Sequence, residues 1–235
     1  TINMTGGNIT STNTVIDLTG ISTVNVSGGN ITSLSEYGIY SNNSSNTINI
    51  TNETSIPTIK GYQTALQIQS GKLTLASGNA IGETEYGVYL KGNATLGVDD
   101  NSIDNVNNPY PTIQGNYYGL YIEPNSYVDM YDGLLYGKTK GYAGAITGTA
   151  DGYTVDEYAS KIISGIEYNE CKLEHEENYV AVGENEFDSL QKAINYIHEE
   201  NLEDATIRVL KNYSIKNNVT APAGKKITLD FDGHT

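Results

Sequence analysis

Six related phrases follow one another through the first half of the chain: TINMTGGNI from Thr1, TVNVSGGNI from Thr23, TINITNETSI from Thr47, KLTLASGNAI from Lys72, TLGVDDNSI from Thr95 and YVDMYDGLL from Tyr127. Each carries two apolar residues two apart: Ile2/Met4, Val24/Val26, Ile48/Ile50, Leu73/Leu75, Leu96/Val98 and Val128/Met130. A period of two marks a strand with both side chains on one face. A second beat is an apolar residue closely followed by glycine, as in Ile59/Gly61, Ile81/Gly82, Ile113/Gly115 and Leu135/Gly137. A third reads YGIY, TALQI, YGVYL and YGLYI, from Tyr37, Thr64, Tyr86 and Tyr118.

The first beats begin at Ile2, Val24, Ile48, Leu73, Leu96 and Val128, so the interval is nearly constant and lengthens only at the last step. A coil of roughly 22–25 residues with three short strands and polar corners predicts an all-β chain wound as a right-handed parallel β-helix, its strands stacked about 4.8 Å apart. Hexapeptide repeats would show a strict six-residue spacing, leucine-rich repeats would show leucines in fixed register, and a propeller blade needs about 40–45 residues. The phrase PTIKGYQTALQI at Pro57 has a near-twin, PTIQGNYYGLYI, at Pro111. Both twins follow insertions between first and second strands, Asn52 to Ser55 and Asp99 to Tyr110. Proline is expected there to restart the strand where the ladder needs no N–H. The tyrosine pairs Tyr37/Tyr40, Tyr86/Tyr89 and Tyr118/Tyr121 are spaced three apart, so a regular strand would place their members on opposite faces. The outward members then form either a surface aromatic ladder or a strip on which sugars stack.

The net charge of −15 and a single arginine, Arg208, argue against nucleic-acid binding, because no basic patch exists to displace counterions from phosphate. The acidic balance also disfavours an anionic membrane surface, and no apolar run reaches the length of a membrane span. One cysteine, Cys171, rules out an internal disulfide. Both ends read as interrupted strand patterns, so the chain is expected to be a piece of a longer protein.

From about Asp151 the rhythm fades. Eight carboxylates between Glu167 and Asp188 face only Lys172, which reads as a solvated connection. Then Leu190, Ala193, Ile194 and Ile197 fall at i, i+3, i+4 and i+7, with Asp188 as N-cap, Gln191 three later and Asn201 closing the end. This predicts one amphipathic helix. Strand patterns return at Ile207/Val209, Ile215 and Ile227/Leu229/Phe231. The expected organisation is therefore a parallel β-helix over 1–150, an acidic connecting segment over 151–186, and a capping helix with the first strands of a second β-helix over 187–235, since an end coil must have its open core covered.

The combination of FDSLQKAINYI, TIRVLKNYSI and KKITLDFDGHT with GGNI and YGIY coils resembles β-helix repeat regions of large cell-surface proteins from low-GC Gram-positive bacteria. The resemblance covers nearly the whole chain, through loose motifs. It implies an extracellular location, and structural roles for Asp230, Asp232 and Gly233. The wider pectate-lyase-like superfamily includes polysaccharide lyases and hydrolases. Those enzymes use carboxylate clusters with a Gly-His-Gly or basic element, or calcium-binding acids with a basic residue. Here His175, His198 and His234 all lie outside the repeats, which contain no arginine and only scattered lysines.

The reading that follows is a non-catalytic extracellular β-solenoid segment acting as a stalk or adhesin-type scaffold. Its partners would be host or cell-wall glycans or surface proteins. The alternative is a carbohydrate-binding or polysaccharide-processing module. No cofactor is called for, although Asp99, Asp100, Asn101 and Asp104 offer oxygen ligands suited to calcium without the glycine and terminal glutamate of an EF-hand loop. Because loops on a rigid scaffold tolerate variation, the candidate contact residues are those of the larger insertion and its neighbours: Asp99, Asp100, Asp104, Tyr110, Tyr118 and Tyr121.

Overall fold

The computed structural model describes residues 1–98, 110–150, 153–175, 178–212 and 219–235. It divides into two compact units, Thr1–Glu174 and His175–Thr235.

The first unit is a parallel β-solenoid. Its opening coil has β1 (Ile2–Met4), β2 (Asn8–Ser11) and β3 (Ile16–Leu18), and the next has β4 (Thr23–Val26), β5 (Asn30–Ser33) and the start of β6 (Ile39–Ile50). β6 runs on around a corner to become the first strand of the third coil, followed by β7 (Thr58–Gly61) and β8 (Leu66–Leu75), which turns the same corner. The coils continue as β9 (Asn79–Gly82), β10 (Tyr86–Leu90), β11 (Asn93–Leu96), β12 (Thr112–Gly115), β13 (Tyr118–Ile122), β14 (Tyr127–Met130), β15 (Leu134–Gly137), β16 (Lys140–Ala143) and the short β17 (Gly148–Thr149). Second strands stack in parallel as β2-β5-β7-β9-β12-β15, while first and third strands share one sheet.

Register makes the core a set of columns. Met4, Val26, Ile50, Leu75, Leu96 and Met130 pair in succession, beside Ile2, Val24, Ile48, Leu73, Ala94 and Val128. Ile48, Ile50, Leu73, Leu75, Val128 and Met130 are fully buried, as the alternation predicts. Two sequence readings need correction. In the fifth coil the inward pair is Ala94/Leu96 and Val98 is exposed, because a small alanine hides the strand's true start. In β9 the residue facing Ile59 is Ala80, and Ile81 is only half buried. Outside, amides reinforce the stacking: Asn25 Nδ2 donates to Asn3 Oδ1 at 2.8 Å, and Asn49 Nδ2 to Asn25 Oδ1 at 2.8 Å.

The paired PTI phrases have a physical origin in one corner. The carbonyls of Gly7, Gly29, Pro57, Gly78 and Pro111 successively accept from the N–H of Asn30, Thr58, Asn79, Thr112 and Leu134. Gly7, Gly29, Gly78 and Gly133 adopt positive φ here, whereas the coils with insertions place Pro57 and Pro111 in the column. A side chain on Gly78 would meet the Pro57 ring at 2.9 Å, and one on Gly133 the Pro111 ring at 3.2 Å. From the third coil on, glycine and proline alternate because each proline ring fills the space its glycine neighbour leaves.

Residues 153–175, expected to belong to a solvated connection, instead form β18 (Tyr153–Ile163) and β19 (Ile166–His175). β19 pairs antiparallel with β15, Leu135 opposite Cys171, and both Cys171 and Leu173 are buried in the core. Alternate apolar residues among the acids give this segment an inner face that the charge count obscures. Tyr136 donates to Glu170 at 2.7 Å and Gln114 Nε2 to the Tyr168 hydroxyl at 3.0 Å, tying the outer face down as well.

The second unit contains β20 (Val180–Val182), β21 (Asn185–Phe187), α1 (Leu190–Glu199), β22 (Asp204–Val209) and β23 (Lys226–Asp230). Leu190, Ala193, Ile194 and Ile197 pack with Val180, Val182, Ala205, Ile207 and Val209. The N-cap is Ser189 rather than Asp188: its hydroxyl accepts from Lys192 N, while Asp188 pairs with Lys192 Nζ at 2.9 Å. At the other end Asn201 adopts positive φ, and Asn201 N and Leu202 N donate to His198 O and Ile197 O. This is a Schellman closure. β22 and β23 pair in parallel with Asp204 opposite Lys226, the same sequence offset that sets Ile2 opposite Val24 in the first unit. No helix among the described residues is long and apolar enough to cross a membrane.

Candidate functional site

Third strands carry the most distinctive outer face. Tyr37/Tyr40, Thr64/Gln67, Tyr86/Tyr89, Tyr118/Tyr121 and Lys140/Ala143 occupy equivalent positions in successive coils. Tyr40 pairs with Gln67, Gln67 with Tyr89 and Tyr89 with Tyr121, while Tyr86 pairs with Tyr118 and Tyr118 with Lys140. Thr64 lies between Tyr37 and Tyr86, since its carbonyl accepts from Gly38 N and Ala65 N donates to Tyr86 O.

A regular strand would send the two members of each tyrosine pair to opposite faces; the structure puts them side by side. Ring centroids are 5.7 Å apart in Tyr37/Tyr40, 6.0 Å in Tyr86/Tyr89 and 5.9 Å in Tyr118/Tyr121. The intervening residues explain this. The Cβ direction of Gly87 points at Ile113 Cγ2, 2.6 Å away, and the next residue, Val88, is also buried in the core. Two successive inward positions break the alternation and return Tyr89 to the face of Tyr86. Gly38 meets Ile59 in the same way. The Y-G-x-Y spelling is thus the requirement for two tyrosines on one face.

Across coils the rings stack. Tyr86 and Tyr118 are 6.2 Å apart with planes 13° from parallel, Tyr89 and Tyr121 5.6 Å apart at 12°, and Tyr86 and Tyr121 5.1 Å apart at 29°. Carboxylates border them. Glu36, Gln63, Glu85 and Tyr117 form the adjoining corner column, linked N–H to carbonyl between successive coils. On the far side Tyr89 donates its hydroxyl proton to Glu123 Oε1 at 2.7 Å.

Partial burial, the Glu123 hydrogen bond and its charge push the Tyr89 phenol up to about 12, although the side chain stays partly exposed. Burial first and the Glu85 charge second raise Tyr37 and Tyr86. Glu36 is held below the usual carboxylate range by the Thr14 hydroxyl and N–H, which donate to it at 2.8 and 3.0 Å. Tyr37, Tyr86 and Tyr89 therefore keep neutral phenols, and Glu36 an ionised carboxylate, around neutral pH. Such a surface offers flat apolar rings with hydroxyls and hydrogen-bond acceptors beside them, the pairing that suits a sugar.

Of the residues singled out from sequence, Asp99, Asp100 and Asp104 lie outside the described residues. Tyr110 is at the margin of exposure just before Pro111 and the second strand β12. Tyr118 and Tyr121 lie together on the third-strand face with Tyr86 and Tyr89, which the insertion-centred reading did not include. The sequence marks these pairs as a ladder or a strip on which sugars could stack, but with the members of each pair on opposite faces. Among the described residues no cluster of three or more His, Cys, Asp or Glu could hold a metal ion. No protein-family model, curated protein or solved structure matches the chain.

Proposed function

We propose that this chain is a non-catalytic segment of an extracellular bacterial surface protein, a β-solenoid that holds contact surfaces in fixed register as a stalk or adhesin-type scaffold. The supporting observation is the continuity of the core columns from Met4 to Met130, which gives each outer position a defined neighbour one strand spacing away. Repetition of this kind multiplies one shallow contact along a surface. The charge distribution fits the same reading. Lys60 and Glu83 meet at 2.5 Å between adjacent coils, but this is one acid with one base, both substantially exposed. That is the arrangement of a surface ion pair rather than of converging acid–base groups.

A second reading, carbohydrate binding, is favoured by one feature, the clustered and carboxylate-bordered tyrosines of the third strands. Under it, cell-wall or host glycans are the partners. Both readings are tested by immobilising the chain and measuring retention of glycans and surface-protein extracts, with a Tyr86→Ala/Tyr118→Ala/Tyr121→Ala variant in parallel. Glycan retention that the variant loses supports the carbohydrate reading; protein retention that it keeps supports the scaffold alone. Depolymerisation of any retained polysaccharide overturns the non-catalytic assignment.

A further inference from the structure

We propose that the Thr64/Gln67 row is the floor of a slot that takes one neutral sugar ring between the Tyr37/Tyr40 and Tyr86/Tyr89 pairs. This rests on the carbohydrate-binding reading and narrows it to a place and a ligand class. Ring follows ring from Tyr86/Tyr89 to Tyr118/Tyr121, but in the coil before them the aromatic ladder skips a row. Register places Gln67 between Tyr40 and Tyr89, and Thr64 between Tyr37 and Tyr86. The two tyrosine pairs are therefore two strand spacings apart, about 9.6 Å. A pyranose in van der Waals contact with a ring on each side occupies about 7–8 Å.

The floor carries the second indication. Thr64 and Gln67 stand where tyrosines project outward in the neighbouring coils, yet Thr64 is 0% and Gln67 6% exposed. Their flanking residues in register are tyrosines. Thr64 Oγ1 and Gln67 Oε1 are buried and find no hydrogen-bond partner among the described residues. A buried acceptor without a donor is rare in folded proteins, and one explanation is a group that binds there. A sugar offers both needed halves: ring faces for the tyrosine walls, and hydroxyls to donate to Gln67 Oε1 and to exchange hydrogen bonds with the Thr64 hydroxyl. Entry requires only rotation of tyrosine side chains that are already partly exposed.

The rim selects the charge. Glu36 and Glu85 lie on the corner column beside Tyr37 and Tyr86, with Gln63 between them, and Glu123 lies beyond Tyr89. These carboxylates accept from sugar hydroxyls and repel uronates and sulfated sugars. The ligand class is therefore a neutral hexose or N-acetylhexosamine unit.

The test titrates the full chain with soluble hexasaccharides of glucose, mannose and N-acetylglucosamine, with a galacturonate hexasaccharide as charged control. Tyrosine fluorescence and near-ultraviolet circular dichroism report binding; there is no tryptophan to mask them. Gln67→Leu and Thr64→Val should fold normally and weaken binding of a neutral hexasaccharide at least about tenfold, the scale of one lost hydrogen bond. Gln67→Tyr should complete the ladder and abolish binding, which separates blocking of the slot from loss of fold when thermal unfolding is unchanged or raised. Tyr127→Ala, on a first strand and 62% exposed, should retain it. Binding that the Thr64 and Gln67 variants keep but Tyr118→Ala/Tyr121→Ala loses overturns the slot while leaving the tyrosine face as a glycan contact. Preference for the galacturonate hexasaccharide overturns the slot, and failure of the wild-type chain to bind any hexasaccharide overturns both.

Discussion

A buried leucine in one coil touches its counterparts above and below, so its removal leaves a gap shared by three coils. Leu73 and Leu75 are fully buried. Truncating either to alanine should cost about 2–5 kcal/mol, read as a lowered urea midpoint. Unchanged midpoints in both variants would contradict the core assignment. From β7 onward, glycine at the end of second strands is as strictly required. A Cβ on Gly115 would collide with the Tyr118 carbonyl, and the same collision awaits Gly61, Gly82 and Gly137 with Thr64, Tyr86 and Lys140. Gly115→Ala should therefore be among the most damaging single-methyl additions, whereas Gly20→Ala, with open space around it, should be tolerated. Tyr89 sets an alkaline limit. Its folded phenol titrates at about 12 and its unfolded one near the ordinary 10.0, so the native state holds the proton longer. The contribution is complete below about pH 10 and is lost as pH rises through about 12. Stability measured across that window should fall less steeply in Tyr89→Phe, and identical slopes would contradict the assignment.

At the scale of elements, the antiparallel β19 changes what the acidic stretch does. It covers the exposed edge of β15, which as a bare parallel strand would invite pairing with another chain. Amide hydrogens of Asn169 to Lys172 should exchange as slowly as those of β15; fast exchange there would mean that the strand is not part of the sheet. First-strand alternation, glycine corners and the i, i+3, i+4, i+7 helix were legible in the sequence because each follows a single period. What escaped were positions where one period hides another. Ala94 is too small to announce a strand. Cys171 and Leu173 are buried on a strand whose other face carries Lys172 and Glu170. Ser189, not Asp188, caps α1 because Asp188 is engaged by Lys192. The tyrosine pairs were legible as a repeat but not as one face, since that needs the double inward step at Gly87 and Val88.

At the scale of the whole molecule, both units use the same parallel offset between paired strands, which the sequence carries as spacing before any contact is known. On the proposed reading such a scaffold acts through what its outer rows present, and the acidic chain presents tyrosines bordered by carboxylates. On that reading the chain holds a glycan without transforming it. The direct measurement is to load the immobilised chain with mixed cell-wall and host polysaccharides, with and without calcium, then elute and determine the chain length and end groups of what was retained. The account predicts retained glycan of unaltered length with ordinary ends; shortened chains or newly unsaturated ends would contradict it.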